Sequence, residues 1–262
     1  MEPKPSHLGP EHGAVFCDRS VANAYRFRPP YPPAIVPALL RLITEPRVVL
    51  DAGAGTGALG RALAPHVSRV DAIEPSAAMV EAGRVLPGGD RLRWIEATIE
   101  AAQLDGPYGL AVSGSSIHWF EWEVALPKIA EALAPGALLA IVEDVRLQTP
   151  WEVRLRQLLR HYSTNPGERP VDVVEELRRR QLFTPLGAPE IAPAAIRQSV
   201  ADYVESFHSR SGFSRERMTP EDAAAFDDAL RRAVAPYVVD GMLEIRTAAR
   251  LVWGTIETRP EP

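Results

Sequence analysis

The chain has 262 residues, 46% hydrophobic and 24% charged, enough to bury one sizeable core as a single domain with embellishments. A formal charge of −5 and only two lysines, Lys4 and Lys128, leave no basic footprint for a nucleic-acid backbone. The single cysteine, Cys17, excludes an internal disulfide and a multi-cysteine zinc site. No apolar run approaches the length of a membrane span, and the first residues lack the apolar stretch of a signal peptide, so the cytoplasm is the expected compartment.

Residues 1–15 combine Pro, Gly and His without periodicity and read as a flexible tail, in which His7 and His12 lack the clustered partners of a metal site. Next come Tyr25 and Arg28, two proline pairs around Tyr31, and an apolar helix to Ile43. Residues 48–50 form a short aliphatic strand that stops at Asp51, and Gly53, Gly55, Gly57 and Gly60 then open a helix through Leu63. Glycines there permit positive φ and close approach of a ligand, and free N–H groups at a helix start favour an anionic group. A second strand, 70–73, ends at Glu74, placed to accept hydrogen bonds from a ribose hydroxyl pair. Two frames of the dinucleotide fingerprint fit this loop, so the glycines alone leave the cofactor open.

The helix from Ser76 carries Met79 and Val80 on its apolar side and ends at Pro87-Gly88-Gly89. Strands follow at 92–95 and 110–112, and after the second of these comes Ser113-Gly114-Ser115-Ser116-Ile117-His118-Trp119-Phe120, at the edge where doubly wound sheets bind ligands. A helix over 123–133 leads to a fifth strand, 137–142, ending in Glu143-Asp144. Residues 150–181 are helical with a break at Asn165-Pro166-Gly167. Residues 182–197 hold a sixth strand, 198–236 further helices with a cap at Thr219, and 241–256 a final strand.

Val48 through Gly57, hydrophobic-hydrophobic-Leu-Asp-x-Gly-x-Gly-x-Gly, resembles motif I of the class I S-adenosylmethionine-dependent methyltransferases, and Glu74-Pro75-Ser76 resembles the acidic end of that family's second strand. Tyr25-x-x-Arg28-Pro29-x-Tyr31-Pro32 and His118-Trp119-Phe120 resemble a small-molecule subgroup that includes trans-aconitate methyltransferase-like proteins. The resemblance covers residues 16 to about 145. It implies an α/β fold with a doubly wound, Rossmann-like seven-stranded sheet, the last strand antiparallel between the fifth and sixth, and helical lid insertions. Residues 16–262 would then form one methyltransferase domain: a cofactor-covering segment (16–45), a cofactor-binding core (46–149), lid helices (150–181 and 198–236) and C-terminal strands (182–197 and 241–256).

The cofactor so implied is S-adenosyl-L-methionine, leaving as S-adenosyl-L-homocysteine. Its contacts would be Tyr25, Arg28, Asp51, Gly53, Gly55, Gly57, Glu74, Pro75, Met79, Thr98, Ile99 and Ser113, with Arg28 suited to a carboxylate. The acceptor the resemblance implies is a small molecule methylated on oxygen, nitrogen, carbon or a carboxylate. Trp119, Glu143, Trp151, Tyr162 and Tyr203 are its pocket candidates, and His118 a base or orienting residue. No third ligand accompanies Glu143-Asp144, so no metal is expected, and the Asn/Asp-Pro-Pro-Tyr/Phe signature of nucleic-acid amino-methylating enzymes is absent. The rival readings are an NAD(P)-dependent oxidoreductase using the same loop and a non-catalytic S-adenosylmethionine-binding regulator.

Overall fold

The computed structural model describes Lys4, Leu8 and residues 13–165 and 171–257. His7, His12 and most of the expected tail, and Pro166-Gly167 of the expected helix break, lie outside the described residues.

Strands β1 (Val48–Ala52), β2 (Arg69–Ile73), β3 (Arg93–Ile95), β4 (Tyr108–Gly114) and β5 (Leu133–Val145) run parallel. Strand β8 (Met242–Ile256) lies antiparallel between β5 and β6 (Phe183–Gly187), giving the order β3-β2-β1-β4-β5-β8-β6. The central strands are aliphatic on both faces because helices cover both. Side chains alternate strictly: Val49, Leu110, Val112, Ala140 and Val142 enter one core with Ile35 and Leu39, whereas Leu50, Ala111, Leu139 and Ile141 enter the other with Trp122 and Ile129. Helices α1 (Arg19–Tyr25), α2 (Ile35–Leu40), α3 (Ala58–Leu63), α4 (Ala77–Arg84) and α5 (Trp122–Ala132) accompany this half of the chain. The Ser76 hydroxyl caps α4 by accepting from Met79 N–H.

The expected sixth strand is two. Pro189 and Pro193 lack the N–H a ladder requires, and the segment divides into β6 and β7 (Ala194–Ser199). Strand β6 pairs with the end of β8, from Trp253 to Ile256, and β7 with its beginning, Met242 to Thr247, making eight strands in place of seven. Strand β8 therefore belongs to the main sheet at one end and to the lid at the other.

The lid comprises α6 (Glu152–Tyr162), α8 (Val200–Phe207) and α9 (Pro220–Val234), while α7 (Val173–Arg179) packs on the main sheet through Val173, Val174 and Leu177. The lid has a core of its own, in which Trp151, Leu155, Tyr203, Phe207, Phe213 and Phe226 meet Leu243 and Ile245 of β8. Phe226 is fully buried, stacks on Phe213 at 4.8 Å and meets Phe207 at 6.1 Å. Beside it, His208 is clamped between Phe213 O and Asp227 Oδ1, each at 2.7 Å, and Arg215 joins Asp227 to Glu205. Phe226→Ala should cost about 3–5 kcal/mol in chemical denaturation. Hydrogen exchange should show amides of α8 and α9 losing protection before those of β1 and β4.

Candidate functional site

Strands β1 and β4 are neighbours where the strand order reverses, and their carboxyl ends diverge into a crevice. The loop leaving β1 has Gly53, Gly55 and Gly57 at φ of +68°, +57° and +76°. At Gly53 a side chain is excluded twice over, since a Cβ there would stand 2.6 Å from Ser116 Cβ. Ser116 is fixed in turn: its hydroxyl donates to Ala52 O at 2.8 Å and lies 2.7 Å from Ser113 Oγ, tying the loop after β4 to the end of β1.

Two buried carboxylates organise this turn. Glu74 accepts from Gly55 N–H at 2.8 Å through one oxygen and from Ser76 N–H at 2.9 Å through the other. Asp51 Oδ2 accepts from Gly60 N–H at 2.8 Å. The expectation that donors of this loop and helix start stay free for an anionic ligand is thus corrected at Gly55 and Gly60, whose N–H groups the chain's own carboxylates occupy. Burial raises the Asp51 carboxyl to about 7 against the opposing hydrogen bond from Gly60, and also raises Glu74.

Beneath Glu74 opens a cavity of about 320 Å³. Of the residues expected to meet a cofactor, Tyr25, Gly53, Gly55, Glu74, Pro75, Met79, Thr98 and Ile99 line it. Asp51 and Arg28 instead face an adjoining space of about 630 Å³ on the other side of the glycine loop, together with Gly53, Gly55 and Asp144. Arg28 is held there by bonds from Nη1 to Tyr25 OH at 2.9 Å and from Nε to Ser209 Oγ at 3.0 Å. Gly57 turns the loop without lining either space, and Ser113 is fully buried in β4. Phe16, Cys17, Ser115, Ser116 and Phe120 are additional lining residues. Cys17, without a motif around it in the sequence, carries a thiol pushed up in pKa by burial and then by the Glu74 charge.

A third space, of about 610 Å³, lies between the carboxyl edge and the lid and shares Phe16, Tyr25, Ser115 and Trp119 with the first. Of the residues expected at the acceptor pocket, His118, Trp119 and Glu143 line this space. Trp151, Tyr162 and Tyr203 do not. Trp151 donates from Nε1 to Tyr203 OH at 2.8 Å inside the lid core, and Tyr162 packs on Phe226 at 5.5 Å. These helices are amphipathic, and their aromatic faces cover the lid core in preference to the cavity. Tyr203 reaches only a smaller neighbouring space of about 180 Å³. The lid contributes Leu159, Arg160, Arg210 and Phe213 to the larger one.

Burial and the nearby Lys4 charge push the His118 imidazole down to about 4, so it is neutral at neutral pH. Its ring lies 4.3 Å from that of Trp119 and makes no hydrogen bond to another described residue. Glu143 is paired to Arg250 at 3.3 Å, and Arg250 also takes Asp172 at 2.9 Å. Among the described residues no three His, Cys, Asp or Glu side chains converge on a metal position, and no helix is long and apolar enough to cross a membrane.

Residues 49–136 match a family model described as a methyltransferase domain. The chain is 35% identical over 130 residues to an uncharacterized methyltransferase of Mycobacterium tuberculosis, covering 48% of this chain and 51% of that protein. It is 25% identical over 193 residues to an uncharacterized methyltransferase of Schizosaccharomyces pombe, covering 72% and 74%. The chain thus spans about half the length of the mycobacterial relative it matches. A solved structure from Anaeromyxobacter dehalogenans, provisionally named a type II methyltransferase, aligns with a TM-score of 0.64 at 22% identity, over 87% of this chain and 97% of that one. Another, from Anabaena variabilis and provisionally named a methyltransferase of an antibiotic biosynthesis pathway, gives 0.55 at 18% identity, over 86% and 98%. At these identities the likeness is one of fold.

The raised Asp51 carboxyl has a measurable consequence. Its unfolded form ionises near its usual value while the folded form holds the proton to about pH 7, so the native state binds more protons between these limits. This residue's contribution therefore falls as pH rises through that window and is level above it. Asp51→Asn keeps an acceptor for Gly60 N–H and removes the penalty. The stability of the ligand-free variant relative to wild type should rise from about pH 4 to about pH 7 and then plateau, as read by urea denaturation.

Proposed function

We propose that this chain, which belongs to the class I S-adenosylmethionine-dependent methyltransferases, uses S-adenosyl-L-methionine to methylate a small molecule by direct displacement. The observation that carries the choice of cofactor is the pair of carboxylates on the glycine loop. A dinucleotide's pyrophosphate needs the donors of that loop and would meet Asp51 and Glu74, whereas an uncharged ribose hydroxyl pair can donate to the remaining lone pairs of Glu74. The oxidoreductase reading loses its main support there. The accessible cavity of about 610 Å³ beside the first favours turnover over a purely regulatory binder.

S-Adenosyl-L-methionine, when bound, supplies a methyl carbon made electrophilic by its sulfonium. In this reading Glu74 orients the ribose, while Ile73, Ile99, Met79 and Phe120 enclose the base. Asp51 and Arg28, on the far side of the glycine loop, hold the amino and carboxylate groups of the methionine portion, and Tyr25 braces Arg28. Phe16, Tyr25, Ser115 and Trp119 border both cavities, so the acceptor atom meets the methyl group at that partition. The residues there act mainly by alignment and exclusion of water, which can account for about 7–11 kcal/mol of a barrier. For an oxygen or nitrogen acceptor, His118 is already neutral and can take the departing proton. The acidic charge, the lone cysteine and the resemblance of the Tyr25–Pro32 and His118–Phe120 stretches to the small-molecule subgroup support a soluble acceptor in the cytoplasm.

The direct test is transfer of labelled methyl from S-adenosyl-L-methionine to pooled small-molecule extracts, followed by Glu74→Ala. That change should weaken S-adenosyl-L-homocysteine binding by about 1–3 kcal/mol, and unchanged affinity in a folded variant would remove the assignment. If His118 is the base, kcat should fall only as pH drops toward about 4. His118→Gln should then lower kcat by about 10²-fold or more and abolish that limb. A small, pH-independent loss would leave it a positioning role.

A further inference from the structure

Several arginines in and around the lid are matched to acids: Arg215 to Glu205 and Asp227, Arg217 to Asp18, Arg250 to Glu143 and Asp172. Three others, none so matched, stand out by their position. Arg28, from the segment after α1, Arg146, just beyond β5, and Arg210, beyond α8, converge where the cavity of about 610 Å³ meets the smaller one of about 180 Å³, and all three line both. Among the described residues none of them has a carboxylate within 4.0 Å, and Asp144 is the one acid that lines both cavities with them. Arg210 Nε is buried with no acceptor, its guanidinium stacked over Phe207 at 5.1 Å. A buried cationic donor without an acceptor is costly, and three guanidiniums drawn together repel one another, so the arrangement is one that a bound anion would relieve. Burial, then the charges of Arg28 and Arg146, push Arg210 down to about 10, which leaves it a cation at neutral pH.

We infer that the acceptor is itself an anion, a carboxylate or phosphate ester, held by Arg146 and Arg210 with help from Arg28, so that a different atom of the same molecule reaches the Trp119 partition. This rests on the methyltransferase reading for what the cavity holds, but the anion site can be tested apart from it. The planar forks of guanidinium groups suit both oxyanions. Arg210 and Arg146 do not line either of the two spaces assigned to the cofactor, which separates this anchor from the methionine carboxylate expected on Arg28.

The test is calorimetric titration of the full chain with inorganic phosphate and, separately, succinate at low ionic strength, each with and without saturating S-adenosyl-L-homocysteine. Saturable binding of either anion in the presence of S-adenosyl-L-homocysteine is expected. It should be weakened about tenfold or more by Arg210→Gln and by Arg146→Gln, and less by Arg210→Lys, while affinity for S-adenosyl-L-homocysteine changes less than about twofold. Preference for phosphate would point to a phosphorylated acceptor, and preference for succinate to a carboxylic acid. Arg146 is exposed, so its variant keeps the test decisive should Arg210→Gln fail to fold. No saturable binding, equal binding by the variants, or displacement of the anion by S-adenosyl-L-homocysteine would each overturn the inference; the last would give the cluster to the cofactor. Anion binding by a chain that ignores S-adenosyl-L-homocysteine would overturn the methyltransferase reading and leave the anion site standing.

Discussion

A loop with three residues at positive φ has little intrinsic reason to hold one shape, and in this chain it is held by carboxylates from the ends of two adjacent strands. Asp51 reaches forward from β1 to Gly60 N–H, and Glu74 reaches across from β2 to Gly55 N–H. Both are almost fully buried, and burial raises both pKa values, so the bonds are made against a desolvation cost that only a specific geometry offsets. Everything downstream depends on this arrangement. It sets the floor of one cavity and the wall of the next, and it leaves Glu74 as a hydrogen-bond acceptor toward neutral hydroxyls where a free loop would have been a donor toward anions.

The second organising feature is the partition between the cavities. Phe16 and Tyr25 reach it from the chain before β1, Ser115 and Trp119 from the loop after β4. Ser115 sits at φ +50°, with its N–H bonded to Val142 O and its hydroxyl accepting from Asp144 N–H, so the β4 loop is bonded directly to the end of β5. The lid closes the far side without being merely a flap. It has its own aromatic core, clamped by the His208, Asp227 and Arg215 network and continuous with the beginning of β8. Packed in this way, the lid presents Leu159, Arg160, Arg210 and Phe213 to the cavity of about 610 Å³.

Much of this was legible in the residues alone, for reasons that differ along the chain. Aliphatic runs that stop at Asp51, Glu74 and Glu143 mark β1, β2 and β5, each of which ends within two residues of its acid. The glycines mark the turn, since a Cβ at Gly53, Gly57 or Gly60 would stand 2.6, 2.7 or 2.8 Å from a neighbouring side chain. What could not be read were facings. Ser113 and Ser115 are two apart in a polar tetrad, and only the length of β4, which continues to Gly114, buries the first and exposes the second to the cavities. The lid aromatics show a helical period that says one face is apolar but not which space that face covers, and Trp151, Tyr162 and Tyr203 went to the lid core. Arg146 and Arg210 are 64 positions apart with nothing local to join them; only the return of the chain over the carboxyl edge does so. The division of 182–197 into β6 and β7 was signalled by Pro189 and Pro193, although the partner segments on β8 were not.

The central claim is that the cavity beneath Glu74 takes a nucleoside without a pyrophosphate. Parallel calorimetric titration of the purified chain with S-adenosyl-L-homocysteine and with NAD and NADP tests it most directly. Saturable binding of S-adenosyl-L-homocysteine alone is the predicted result. Binding of a nicotinamide dinucleotide in preference to it would mean that Asp51 and Glu74 yield the loop's N–H groups to phosphate, and would contradict the account at its foundation.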